Sequence, residues 1–202
     1  MENYIQIPTK GECDRLIREM AMMEHIVSHS RLVCRVALLL TDHLLARRSD
    51  LNRELVRASA LLHDITKTRS FDTRENHAQT GESYLREQGY PEVGEIVGQH
   101  VCLEQFNPGG PFTEAEIVNY ADKRVLHDRV APLDDRMSYI RDRYCKTADH
   151  RARLRDLWEE TRMLEQKIFS WLPFGPEDLI RRLSGGGKPS TEKGSRKQDD
   201  QG

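Results

Sequence analysis

Six residues of metal-ligating type stand in an ordered set along this 202-residue chain: His29, the adjacent pair His63-Asp64, His77, His100 and Asp122. Apolar residues accompany them at helical spacing. His100 follows Ile96 and Val97, and Asp122 lies between Val118 and Val125, so these side chains point partly inward. A helical interior cannot bury so many ionisable groups without compensation. A cation ligated by neutral imidazoles and ionised carboxylates removes that conflict. Imidazole together with carboxylate suits iron, manganese, cobalt or zinc rather than calcium or magnesium alone. Six protein ligands exceed what one open catalytic ion needs. They suit two divalent transition-metal ions with Asp64 placed to bridge, the arrangement that holds two ions about 3.5–4 Å apart for in-line displacement at phosphorus.

Those residues need elements to position them, and the period of the chain is helical. Residues 11 to 23 read as a first helix. A longer one over about 24 to 47 carries Ile26, His29, Val33, Val36, Ala37, Leu40 and Leu44 on one stripe, with Arg47 and Arg48 at its negative end. Ser49-Asp50 is expected to cap the next helix, which ends near Asp64. Neighbours on a helix diverge by about 100°, so His63 and Asp64 can meet one metal only at a helix end or kink. Residues 66 to 76 read as a polar loop forming one wall of a site. Further helices are expected at 77 to 88, stopped by Gly89, from Pro91 through Cys102, and from the capping box at Thr113 to about 128. Others cover 133 to 144, 148 to 171 and 177 to 183.

No strand alternation or internal repeat stands out, and the fold class is all-α. The expected organisation is an N-terminal helix in 1–20, a helical domain in 21–130 and a C-terminal helical extension packed on it in 131–183. From 184 to 202 the chain lacks apolar anchors and reads as a disordered tail.

Composition narrows the function. Charged residues make up 32% and hydrophobic ones 37%, and no run approaches the roughly 18 apolar residues of a spanning helix. The N-terminus lacks the pattern of a signal peptide, so a cytoplasmic protein with no membrane partner is expected. Lys and Arg (31) nearly balance Asp and Glu (33), which offers no global attraction for polymeric nucleic acid. Cys13, Cys34, Cys102 and Cys145 lack C-x-x-C spacing and read as free thiols. Away from the ordered set, His25 reads as a surface residue or a neighbour of the site. His43, His127 and His150 read as solvated helix residues.

Five segments together resemble the HD-domain superfamily of metal-dependent phosphohydrolases. They are His25 to Val33, Leu61 to Lys67, Glu75 to Gly81, Val97 to Val101 and Tyr120 to Lys123. The resemblance covers about residues 20 to 130 and follows the order H…HD…H…H…D. It is closest to the small bacterial branch with an HDIG-type signature, with Thr66 where glycine is usual. The resemblance implies an HD-domain helical bundle with additional C-terminal helices. It gives His29, His63, Asp64 and Asp122 as the core metal ligands and His77 and His100 as ligands of a second ion. It also implies a metal-bound hydroxide as nucleophile, with Asp64 helping to orient water and Lys67 in a catalytic or phosphate-contacting role. Loop cations Arg69 and Arg74 join Lys67 as substrate-binding candidates.

The expected activity is hydrolysis of a phosphate ester or anhydride of a small molecule, a nucleotide by preference, in a chain that is a candidate homo-oligomer. Two alternatives use the same fold: a di-iron oxygenase with the same six ligands, and a non-catalytic signalling or scaffold module, disfavoured because every ligand position is intact. Gly89-Tyr90-Pro91 spells the tripeptide of cyclic-dinucleotide phosphodiesterases, but it precedes His100 rather than following a paired histidine. It reads as a helix stop and a proline-started helix.

Overall fold

A computed structural model describes residues 5–47 and 49–184. The order is α1 (Lys10–Glu19), α2 (Glu24–Leu45), α3 (Arg53–Leu62), α4 (Lys67–Thr73), α5 (His77–Glu87), α6 (Pro91–Gly98) and α7 (Glu114–Lys123). A hairpin of β1 (Val125–Leu126) and β2 (Arg129–Val130) follows, then α8 (Leu133–Tyr144), α9 (Ala148–Phe169) and α10 (Asp178–Ser184). The architecture is all-α apart from that antiparallel hairpin, in which Val125 faces Val130 and Leu126 faces Arg129.

Helix α2 runs through the core. Its stripe of Ile26, Val33, Val36, Ala37, Leu40 and Leu44 is buried, with α3 and α7 packed against it. On α7 every residue from Ala115 to Lys123 is buried, so this short helix is enclosed on all sides. Thr9 and Thr113 form capping boxes with Glu12 and Glu116, satisfying N-terminal amides that no helical carbonyl reaches. Gly89, at φ 87°, reverses the chain between α5 and α6. These two helices lie so close that a Cβ on Gly94 would meet the Glu82 carbonyl oxygen at 2.8 Å.

Several boundaries differ from the sequence reading. Asn52, not Ser49 or Asp50, caps α3, its side chain accepting from the amides of Glu54 and Leu55 at 3.1 Å. Residues 67 to 73, expected as loop, form α4. It buries none of its side chains, which is why its period carries no apolar signal. Thr66 lies at φ −103°, a conformation open to any residue, and its hydroxyl donates to the His77 carbonyl at 2.8 Å. Helix α6 stops at Gly98, short of Cys102, and α7 stops at Lys123 because the hairpin follows. Arg48 and residues 185–202, most of the tail expected from 184, lie outside the described residues.

The C-terminal helices are tied to α7 by buried charge as well as by apolar contact. Lys167 of α9 meets both Glu116 oxygens at 2.8 Å and also donates to the Asn107 and Pro111 carbonyls. Arg124, fully buried, donates to the Tyr120 hydroxyl, Glu165, and the Ala131 and Pro176 carbonyls. A smaller apolar cluster of Leu133, Met137 and Leu154 holds α8 against α9.

Candidate metal centre

Each candidate ligand sits where an element ends or faces the core. His29 is on the buried stripe of α2. Helix α3 ends at Leu62, and the chain turns through the next residues, with Ile65 N–H bonded to the Leu62 carbonyl and Lys67 N–H to that of Asp64. That turn is what lets adjacent residues reach one centre: His63 Nε2 lies 3.4 Å from Asp64 Oδ2. His77 opens α5 behind its cap Asn76, His100 lies just past α6, and Asp122 is in the last turn of α7.

Backbone carbonyls set the direction of three imidazoles. Nδ1 of His29 donates to the His127 carbonyl at 3.1 Å, that of His63 to Ala60 at 2.9 Å, and that of His100 to Val97 at 2.7 Å. A carbonyl oxygen only accepts, so each Nδ1 carries a proton, and it is Nε2 that turns inward, with a free lone pair whenever the ring is neutral. There the lone pairs crowd. His29 Nε2 is 2.9 Å from Asp122 Oδ1, and His63 Nε2 is 3.7 Å from the same oxygen. His77 Nε2 is 3.1 Å from His100 Nε2, and these two lie 3.3 and 3.6 Å from Asp64 Oδ1. His63 Nε2 and Asp64 Oδ1 are buried with no hydrogen-bond partner.

Buried acceptors converging on acceptors are a repulsive arrangement unless positive charge lies among them. This donor set fits divalent cations. Two groups of ligating atoms, each within 4.8 Å, are His29-His63-Asp64 and Asp64-His77-His100. Asp64 belongs to both.

The protein's own charges point the same way. Burial opposes ionisation of Asp64, yet His63 and Lys67 outweigh it and hold the carboxyl well below its ordinary range. Asp122 is held low in the same way, against burial, by Arg136 and His29. Burial pulls His100 down to about 4, which keeps it neutral and able to ligate. For His63 burial is outweighed by Asp64 and Asp122, and its pKa rises: a proton there answers the negative charge that a cation would answer.

A family model described as the HD domain matches residues 26–154. The chain belongs to the HD-domain family. The solved structure of a predicted HD superfamily hydrolase from an uncultured Thermotogales bacterium is 21% identical, with 84% of this chain and 96% of that chain covered at a TM-score of 0.46. A search of curated proteins finds no match. Among the described residues, no helix is long and apolar enough to cross a membrane.

The six candidate ligands of this HD domain are brought together, and Lys67 joins them, its Nζ 2.7 Å from Asp64 Oδ2. The other two cations proposed from sequence are not brought in. Arg69 pairs with Glu75 at 3.2 Å, and Arg74 is exposed at the left-handed end of α4. His43 is only partly exposed, its ring packed edge-on against Phe174, and His127, though exposed, lies in the hairpin rather than in a helix.

Three contributors escape the sequence reading. His127 acts through its carbonyl, presented to His29 by a backbone at φ 58°. Valine at 127 is expected to destabilise the fold by about 1–2 kcal/mol, while glycine is tolerated; urea midpoints of the two variants check this. Lys123, fully buried, donates to the His100 and Val101 carbonyls and to Asn119 Oδ1, fixing the segment that carries His100. Its place in an enclosed helix was the available signal, because a buried ammonium must have partners. Arg136 of α8 reaches Asp122 Oδ1 at 3.4 Å from outside the motifs, and no local pattern marks it.

Proposed function

We propose that this HD-domain protein is a metal-dependent phosphohydrolase that cleaves a phosphate ester or anhydride of a small molecule, with nucleotides as the substrate class. The observation that carries the reading is Asp64 shared between two His/Asp groups, with the Lys67 ammonium on its second oxygen. His29, His63, Asp64 and Asp122 would hold one ion, and Asp64, His77 and His100 the other. When bound, such ions polarise a phosphoryl oxygen and lower the pKa of coordinated water.

The chain's own residues supply the rest. The carbonyls of Ala60, Val97 and His127 keep three imidazoles in the ligating tautomer. Lys67 is partly exposed, so its ammonium can pass from Asp64 to a phosphoryl oxygen and offset charge that builds there. Phe71, one turn beyond Lys67 on α4 and 55% exposed, offers a ring on which a nucleobase can stack. That pairing of ammonium and exposed ring supports the nucleotide class.

The test is elemental analysis of anaerobically purified protein, followed by a nucleotide and phosphomonoester panel. The expected result is about two transition-metal ions per chain and phosphate release without O₂ uptake. Substrate turnover that consumes O₂ and releases no phosphate would replace the reading with a di-iron oxygenase. Absence of metal after reconstitution would leave a non-catalytic module.

A further inference from the structure

The accessible edge of the ligand cluster is unevenly furnished. His63, Asp64 and His100 are sealed, with side chains 0–2% exposed. Lys67, at 28%, and His77, at 25%, are the most open to solvent. Asp122 and Arg136, at 12 and 13%, are less so. Each carboxylate therefore has one cation beside it, Lys67 on Asp64 and Arg136 on Asp122. The two contacts differ in quality. Lys67 makes a close ion pair at 2.7 Å, whereas Arg136 touches Asp122 only through Nη2 at 3.4 Å.

Arg136 Nε is buried with no hydrogen-bond partner. A guanidinium carries five donors in a rigid plane, and a buried one with an unpaired N–H bears a desolvation cost that an anion would relieve. The helix that carries Arg136 is also held in place. Leu133 and Met137, three residues before it and one after, are buried in the α8–α9 cluster, which fixes α8. A charged fork on an anchored helix, nearly buried and under-used at the rim of a metal-ligand cluster, has the chemistry of an oxyanion receptor.

We propose that Arg136 binds the phosphoryl oxygens of the substrate, contributing from the C-terminal helices a group that the histidine–aspartate motifs do not contain. The inference rests on the phosphohydrolase reading. Arg136 donates through its unpaired Nε–H and the neighbouring guanidinium N–H groups to a tetrahedral dianion, while Lys67 approaches from the Asp64 side. Arginine suits this place better than lysine because it stays charged beside other cations and offers two parallel N–H bonds.

The experiment is calorimetric titration of inorganic phosphate into full-length, Mn²⁺-reconstituted wild type, Arg136→Met and Arg136→Lys, with metal content and thermal midpoint measured on the same samples. The expected result is unchanged metal content and an affinity for phosphate lowered roughly 10- to 100-fold in Arg136→Met. Arg136→Lys should fall between the two. Equal affinity at equal metal content would overturn the inference and leave the phosphohydrolase reading intact. Loss of metal from Arg136→Met with Arg136→Lys binding both metal and phosphate like wild type would also overturn it, because any cation would then serve and the role would be holding Asp122. If wild type itself binds no metal, the phosphohydrolase reading fails on that measurement. The same titration on ion-free protein then decides Arg136 separately, a lowered affinity in Arg136→Met supporting it and an equal one overturning it.

Discussion

Asp64→Asn is expected to strip this protein of most of its metal and to lower phosphoester turnover by at least about 1,000-fold. Replacing groups that merely orient a metal ligand typically costs about 10- to 100-fold in affinity or activity, and Asp64 is placed to serve as a ligand itself. Its Oδ1 faces His77 and His100, and its Oδ2 faces His63 and Lys67. Asparagine keeps the shape but loses the charge and offers one oxygen where the two groups call for two. The contrasting variant is His77→Ala, which touches only the second group and should remove about one ion per chain while leaving the other. Elemental analysis of both proteins, with circular dichroism to verify the fold, makes the comparison. Asp64→Asn retaining full metal and activity would remove the basis for a shared carboxylate.

Lys167→Met is expected to be the most destabilising single change outside the metal centre, by about 3–5 kcal/mol. Lys167 and Glu116 are 5 and 3% exposed, so the methionine leaves a carboxylate in the interior with no cation. The same ammonium also donates to the Asn107 and Pro111 carbonyls, and both bonds are lost with it. For a domain of this size the thermal midpoint should fall by roughly 10 °C. The double variant Glu116→Gln/Lys167→Met should recover part of the loss, because the stranded charge is gone. A Lys167→Met midpoint within about 2 °C of wild type would show that the pair is replaceable by packing alone.

The two substitutions probe regions that were unequally legible. The clustered set of candidate ligands could be read from the chain because each member carries its own local signature: a titratable side chain with apolar residues at helical spacing. His29 on its stripe and Asp122 between Val118 and Val125 face inward whatever the rest of the chain does. Capping boxes at Thr9 and Thr113 and the reversal at Gly89 are equally local. Helix α4 was not legible, since a helix that buries nothing has no apolar period to display. Arg69 and Arg74 were natural candidates on a loop beside the site, yet once that stretch is helical Arg69 turns to Glu75 and Arg74 falls at an exposed terminus.

By itself, then, the sequence determined an all-α chain with six histidine and aspartate side chains directed toward its interior, because helical period and ligand chemistry are properties of short segments. Tertiary structure alone decided how those side chains are finished. It set the His127 carbonyl on His29, the buried Lys123 behind His100, and the Arg136 guanidinium beside Asp122. It also paired Glu116 with Lys167 across 51 residues. Each of these joins groups on different elements, and charge or hydrogen bonding between such groups is set by where the elements dock, which no local period encodes.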